Sequence, residues 1–256
     1  MAIQSHMAKA ISALQKENLK AEFVEQDEFI LIENLLSPED VKAINSELPK
    51  LYKAIHRNYV PWRKKGGSIS RVLIDRMTQV FAKIYYSPAL LELLRYLVDS
   101  DLKDCPEDDS HAYALYCYTE PGDHVGYHYD TSFYKGQRYT GLLGLIDESS
   151  CELECILYKD NPHKESKHIS VIVSPGAFVF FNGDRLYHKV TPLKKGEKRI
   201  VLTMEYLTDH RMTRFGSFIS KLKDAIGYFG FYHVFIETKK NTDNKHRKEK
   251  ENRYDG

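Results

Sequence analysis

The sequence is short of several things, and each shortage removes a class of protein. Its 256 residues hold four cysteines, Cys105, Cys117, Cys151 and Cys155, and no CxxC pair. That is too sparse for a disulfide framework. The one close pair, Cys151 and Cys155, has no second Cys/His pair beside it to complete a zinc site. No apolar run approaches the roughly 20 residues that span a bilayer, and MAIQSHMAKAISALQKENLK lacks the apolar centre of a signal peptide. The expectation is a reduced, cytoplasmic protein with no membrane partner. Charge of one sign is missing too: 37 Lys+Arg face 36 Asp+Glu, which gives no global field for nucleic acid. The tail TKKNTDNKHRKEKENRYDG (238–256) mixes both signs and is expected to be disordered.

Aromatic residues are plentiful instead, with 18 Tyr and 12 Phe beside a single Trp. The patterning divides the chain. Residues 8–20 have helical spacing. EFILIENLL (28–36) has the pattern of a strand, and Ser37-Pro38-Glu39-Asp40 opens a helix running through Val41, Ile44 and Leu48 towards Ala54. WRKKGGSIS (62–70) is expected to be a mobile loop able to close over a substrate, and residues 77–99 a pair of helices split at Pro88. From 111 to 208, seven or so short aromatic or β-branched runs alternate with turn chemistry such as PGD, SPG and NGD. Strands at that spacing predict a sandwich, jelly roll or barrel, and the helices of residues 1–100 are expected to pack outside one sheet. FGSFISKLKDAIGYFGFYHVFI (215–236) returns to helical spacing. The expectation is an α+β chain with a mainly β core, one domain over 1–237.

Chemistry concentrates in Gly126-Tyr127-His128-Tyr129-Asp130. Along a strand, side chains at i and i+2 share a face, so His128 and Asp130 present an imidazole and a carboxylate together. A third ligand has to come from another strand, and His188 in FFNGDRLYHKVTPL is the candidate. Two His and one carboxylate on one side of Fe(II) leave positions for a bidentate ligand and for dioxygen. Taken alone, an HxD triplet is weak among 11 histidines; the rival His163-Lys164-Glu165 lies in a polar loop and is expected to be solvated surface. Arg199 strengthens the set. It stands eleven residues after His188, at the start of the apolar run RIVLTMEYL. A guanidinium entering an apolar strand needs an anion, and a dicarboxylate fits its planar fork.

This order of residues resembles the Fe(II)/2-oxoglutarate-dependent oxygenase superfamily over about residues 28–206, with FILIENLLSPEDVKAIN, YTEPGDHVGYHYD and GAFVFFNGDRLYHKVTPLKKGEKRIVLTMEY as the matching stretches. The resemblance implies a double-stranded β-helix (jelly roll, cupin-like), iron on His128, Asp130 and His188, and 2-oxoglutarate on Arg199. It also implies that Tyr118, ten residues before His128, bonds the cosubstrate, with Tyr116 on the same face; Thr203 either lines the pocket or is a core residue. The chain further resembles bacterial radical halogenases of free amino acids, lysine among them, and their hydroxylase relatives. The halogenases carry Gly or Ala where this chain keeps Asp130, so the resemblance implies hydroxylation.

For a zwitterionic substrate such as lysine, the candidates are Glu120 and Asp123 for the amine and Arg71 or Arg63 for the carboxylate. His124, Thr131, Phe229, Phe231 and Tyr232 are candidates for walls or a lid, and Asp147 or His111 for orienting the metal ligands. Each of these is as readily a solvated or packing residue. Residues 226–236 either seal the pocket or form a homodimer interface. The alternatives to a free-amino-acid hydroxylase are a peptidyl (prolyl-type) hydroxylase and a non-enzymatic jelly-roll binding module.

Overall fold

The computed structural model describes residues 2–107, 109–130 and 134–211. Two helices come first, α1 (Ala2–Ser12) and α2 (Lys16–Glu25), followed by strand β1 (Phe29–Ile32). The expected single helix over 8–20 is thus two, broken at 13–15. Helix α3 (Pro38–Asn45) begins where expected: Ser37 Oγ accepts from the Asp40 N–H at 3.1 Å, with Pro38 in the first turn. It stops at Asn45, and a separate short helix α4 (Leu48–Leu51) follows.

Strands β2 (His56–Val60) and β3 (Lys64–Ser70) then form a hairpin. Here the sequence misled. Residues 64–70 are a largely buried strand, not a mobile loop. The glycines that suggest a loop are there for close packing. A Cβ on Gly67 would lie 2.6 Å from Ile55 Cγ2 and 3.1 Å from the Cys117 carbonyl oxygen. Helices α5 (Arg71–Asp75), α6 (Val80–Tyr85) and α7 (Pro88–Val98) complete the helical part, α7 starting at Pro88 as expected.

The remaining strands are β4 (Lys103–Asp104), β5 (Tyr113–Tyr118), β6 (His124–His128), β7 (Arg138–Glu148), β8 (Leu153–Leu157), β9 (Lys167–Val171), β10 (Phe178–Asn182), β11 (Tyr187–Val190) and β12 (Lys198–Leu207). They join β1 and β3 in one antiparallel sheet of order β1-β10-β7-β12-β5-β3-β6-β11-β8-β9, with β2 paired to β3 and β4 to β12. The sheet curls into a jelly-roll half-barrel. Strand β3 is the seam that joins β5 to β6.

Alternation along the strands builds two cores. On β12, Ile200, Leu202 and Met204 face the helices, packing with Phe23, Leu90, Leu94 and Leu97, while Val201 faces the barrel interior. On β10, Phe178 and Phe180 go to the helices, Val179 and Phe181 to the interior, where they meet Leu153, Leu157 and Val190. This is why FVFFN has no polar alternation: both of its faces are covered. Among the described residues, no helix is long and apolar enough to cross a membrane.

Candidate metal centre

Strands β6 and β11 pair antiparallel with His188 opposite His128. That register puts two imidazoles side by side on the interior face, ring centroids 4.3 Å apart. Asp130 lies just past the end of β6, not inside a strand, yet it converges on the same point. Its backbone N–H donates to the Gly183 carbonyl at 2.9 Å. Its carboxylate lies 3.3 Å from His128 Nε2 through Oδ1 and 3.9 Å from His188 Nε2 through Oδ2. One ligand atom from each residue falls within 4.8 Å of the others.

Both imidazoles are held in the tautomer a metal needs. His128 Nδ1 is 2.9 Å from the Gly126 carbonyl oxygen and His188 Nδ1 3.0 Å from that of Leu186. A carbonyl only accepts, so each Nδ1 carries the proton and each Nε2 turns its lone pair to the centre. These two backbone carbonyls orient the ligands. Asp147 instead accepts from Ser149 Oγ at 2.6 Å, and the His111 backbone N–H bonds Asp109 Oδ1.

The electrostatics are those of a cation site. Burial works against charge on Asp130, yet His188 and His128 beside it hold its carboxyl far below the usual carboxylate range. Burial also works against a charged His128, but its contact with Asp130 pushes that imidazole up. For His188 burial prevails and the shift is downward. A carboxylate that stays ionised next to two imidazoles is ready to accept a divalent ion.

Arg199 opens the interior face of β12, in register with Tyr118 on one side and Asp147 on the other. The residue is 2% exposed, and its guanidinium lies 5.2 Å over the Tyr118 ring. Its Nε has no hydrogen-bond partner, and among the described residues no ion pair reaches it. A buried guanidinium in that state costs several kcal/mol unless an anion meets it, so the residues present fit a carboxylate-bearing cosubstrate. Of the two tyrosines on this face of β5, Tyr118 is the one beside Arg199. Thr203 lies on the same face, half-buried, its hydroxyl donating to the Ala114 carbonyl at 3.1 Å.

Sequence reasoning missed Lys64. It is 8% exposed on β3, its ammonium 4.4 Å over the Tyr116 ring. Burial lowers its pKa to about 7 against the pull of Asp130. A lysine in the run Arg63-Lys64-Lys65-Gly66-Gly67 has the signature of loop chemistry, and nothing local marks it as interior.

The substrate candidates do not gather here. Glu120, 55% exposed, pairs with Arg57 at 3.0 Å, and Asp123 is taken up by the same guanidinium at 2.5 and 2.8 Å. Asp123 also accepts the backbone N–H groups of Thr119 and Glu120, so it organises the β5–β6 turn. His124, bonded through Nδ1 to the Gly122 carbonyl, begins β6 at the end opposite His128. Arg71 belongs to Asp75 (3.3 Å), beside Tyr113 of the helix-facing core. Arg63 is exposed at the hairpin tip. The rival His163-Lys164-Glu165 is exposed, as expected. Thr131, Phe229, Phe231, Tyr232 and the whole 215–236 segment lie outside the described residues.

Residues 11–135 match the model of one protein family, described as Halogenase D. That span reaches the first two ligands but not His188 or Arg199. No curated protein matches the chain. Three solved structures are similar. The carbocyclase SnoK, a non-heme α-ketoglutarate-dependent enzyme from nogalamycin biosynthesis, is 14% identical with a TM-score of 0.64, over 85% of this chain and 94% of that one. The epimerase SnoN from the same biosynthesis gives 13% and 0.63, over 75% and 80%. A Pseudomonas putida prolyl-4-hydroxylase gives 14% and 0.57, over 76% and 99%. At these identities the likenesses show a shared fold, the jelly-roll half-barrel described above.

Proposed function

We propose that the protein is an Fe(II)- and 2-oxoglutarate-dependent hydroxylase of a small substrate, with a free amino acid, lysine first, as the class to test. One observation carries the reaction class: the His128–Asp130–His188 cluster shares a barrel interior with a buried Arg199 whose Nε is unsatisfied. In this reading His128 Nε2, His188 Nε2 and one oxygen of Asp130 hold the iron, Arg199 holds the far carboxylate of 2-oxoglutarate, and Tyr118 covers the guanidinium. Bound there, iron with 2-oxoglutarate and dioxygen supplies the oxidising power to break an unactivated C–H bond. The chain's own part is to orient and to exclude water. Gly126 and Leu186 carbonyls fix the imidazoles, and Val125, Val190 and Val201 keep the interior dry.

Two features support hydroxylation of a carboxylate-bearing substrate. Asp130 occupies the place that Gly or Ala takes in the resembling halogenases, and a carboxylate there blocks a halide. The interior also carries the cation Arg199 and the amine Lys64, which suits a diacid cosubstrate and an acid-bearing substrate together. The assay is anaerobic iron loading followed by succinate release with a panel of amino acids and prolyl peptides. Stoichiometric iron and stimulation by a free amino acid are expected. Stimulation by peptides alone would transfer the assignment to a peptidyl hydroxylase, and absence of iron binding would leave a jelly-roll binding module.

A further inference from the structure

Behind Asp130 stands a group of buried polar residues that the proposed chemistry does not use. Thr140 on β7 is 2% exposed and Glu205 on β12 is 7% exposed, and the two are opposite each other in the β12–β7 register. Thr140 Oγ1 is 2.8 Å from Asp130 Oδ2 and 3.1 Å from Glu205 Oε2. A hydroxyl has one proton to give. Glu205 is already served: Arg138 Nε donates to its Oε2 and Nη2 to its Oε1, both at 2.6 Å. The shorter contact is therefore the donated one, and Thr140 gives its proton to Asp130. The chain also clears room for this contact. A Cβ on Gly183 would stand 2.9 Å from Asp130 Cβ and 3.1 Å from Thr140 Oγ1, while the Gly183 carbonyl takes the Asp130 N–H.

The two oxygens of Asp130 are thus unequal. Oδ1 is the one nearer His128 Nε2, at 3.3 Å. Oδ2 is committed to Thr140. We infer that Thr140, held in place by the Glu205–Arg138 pair, is a positioning residue that keeps Asp130 bound to the metal through one oxygen only. This rests on the metal centre proposed above. Its consequence is kinetic: a carboxylate that closed on the metal with both oxygens would take up the position dioxygen needs, while metal affinity would hardly suffer. Arg138 has its own part. Without it Glu205 would be a second buried carboxylate competing for the same proton and repelling Asp130.

The test uses the full chain and its Thr140→Val and Thr140→Ser variants, with two readouts. The first is the visible spectrum of the cobalt(II)-loaded protein, whose absorption weakens as coordination number rises and which needs no cosubstrate. The second is succinate formation with iron. Thr140→Val is expected to lower the cobalt absorption and to slow succinate formation about 10- to 100-fold, with a smaller change in metal affinity, and Thr140→Ser to return both towards the parent values. A Thr140→Val protein matching the parent in spectrum and rate would overturn the inference, as would a loss that Thr140→Ser fails to restore. If the parent itself forms no succinate, it is the oxygenase assignment that fails, and the cobalt spectra alone still decide what Thr140 does.

Discussion

Arg199 and Asp123 both carry a charged group into buried surroundings, yet the fold gives them opposite circumstances, and each yields a prediction. Arg199 has a buried Nε without a partner, so its contribution appears only when a ligand arrives. Arg199→Met is expected to weaken 2-oxoglutarate binding by about 2 kcal/mol or more, roughly 30-fold, measured by titration calorimetry on the metal-loaded protein. Arg199→Lys should fall between, since it keeps the charge and loses the fork. Asp123 already has its partner. Burial alone would raise its pKa, but the Arg57 guanidinium and the Thr119 and Glu120 amides outweigh it and hold the pKa down. A carboxyl depressed in the folded state stabilises above its unfolded pKa, and that contribution is lost as pH falls through the folded value. Asp123→Asn should therefore cost about 1.5–3 kcal/mol at pH 7 in urea unfolding. The gap to the parent should narrow once the pH drops below about 4. A gap that widened in acid would mean the sign has been misassigned.

Strand β3 shows how an element can be hidden by its own composition. Lys64-Lys65-Gly66-Gly67 has the look of a solvated loop, but it pairs with β2, β5 and β6 and closes the barrel wall. Amide exchange at Gly67 and Ile69 is expected to be slow, comparable with β12, whereas a loop would exchange at once. Gly67→Ala should destabilise by about 1–3 kcal/mol, because the added methyl meets Ile55 and the Cys117 carbonyl rather than open space. At the turn after β10, Gly183→Ala forces its methyl against Asp130 and Thr140. It is expected to reduce iron binding more than it reduces stability, read as metal per chain against Tm. Helix starts are easier to see: Ser37 and Ser87 cap their helices through side-chain oxygens, each followed by Pro, a signal contained within four residues.

Across the whole molecule, the sheet brings the candidate ligands from three places to one point: the end of β6, the start of β11, and a loop residue tied to the β10–β11 turn. Such a site does not exist in the unfolded chain, so ligands that fill it stabilise the fold by mass action. Metal is expected to raise Tm, and 2-oxoglutarate to raise it further only after metal. At a thousandfold excess over Kd each contributes about 4 kcal/mol. Arg199→Met should keep the first rise and lose the second; a cosubstrate rise that does not depend on metal would place the anion elsewhere. The Halogenase D match covers 11–135 and the structural likenesses are at 13–14% identity, so these experiments, not the likenesses, decide the reaction.

The order of residues alone was enough to single out the candidate metal set, whose ligand atoms the fold then brings within 4.8 Å of one another. His128, Asp130 and Arg199 stood out because an HxD triplet and an arginine heading an apolar strand are local features, and His188 entered only as the candidate from a second strand. The strand-rich second half was legible for a similar reason, since alternation and turn residues act within a few positions. What surrounds the candidate metal set came from the folded chain. Thr140, Gly183 and Glu205 come within contact distance of Asp130 or of one another across gaps of 10 to 65 residues, and no local pattern marks them. Glu120, His124 and Arg71 have the charges a substrate needs and lie near a motif, but β6 leaves the first two at its far end and Asp75 occupies the third. The physical cause is the same in each case: a motif is written along one stretch of chain, whereas a neighbour's position, that of His188 opposite His128 included, is set by which strands pair and in what register.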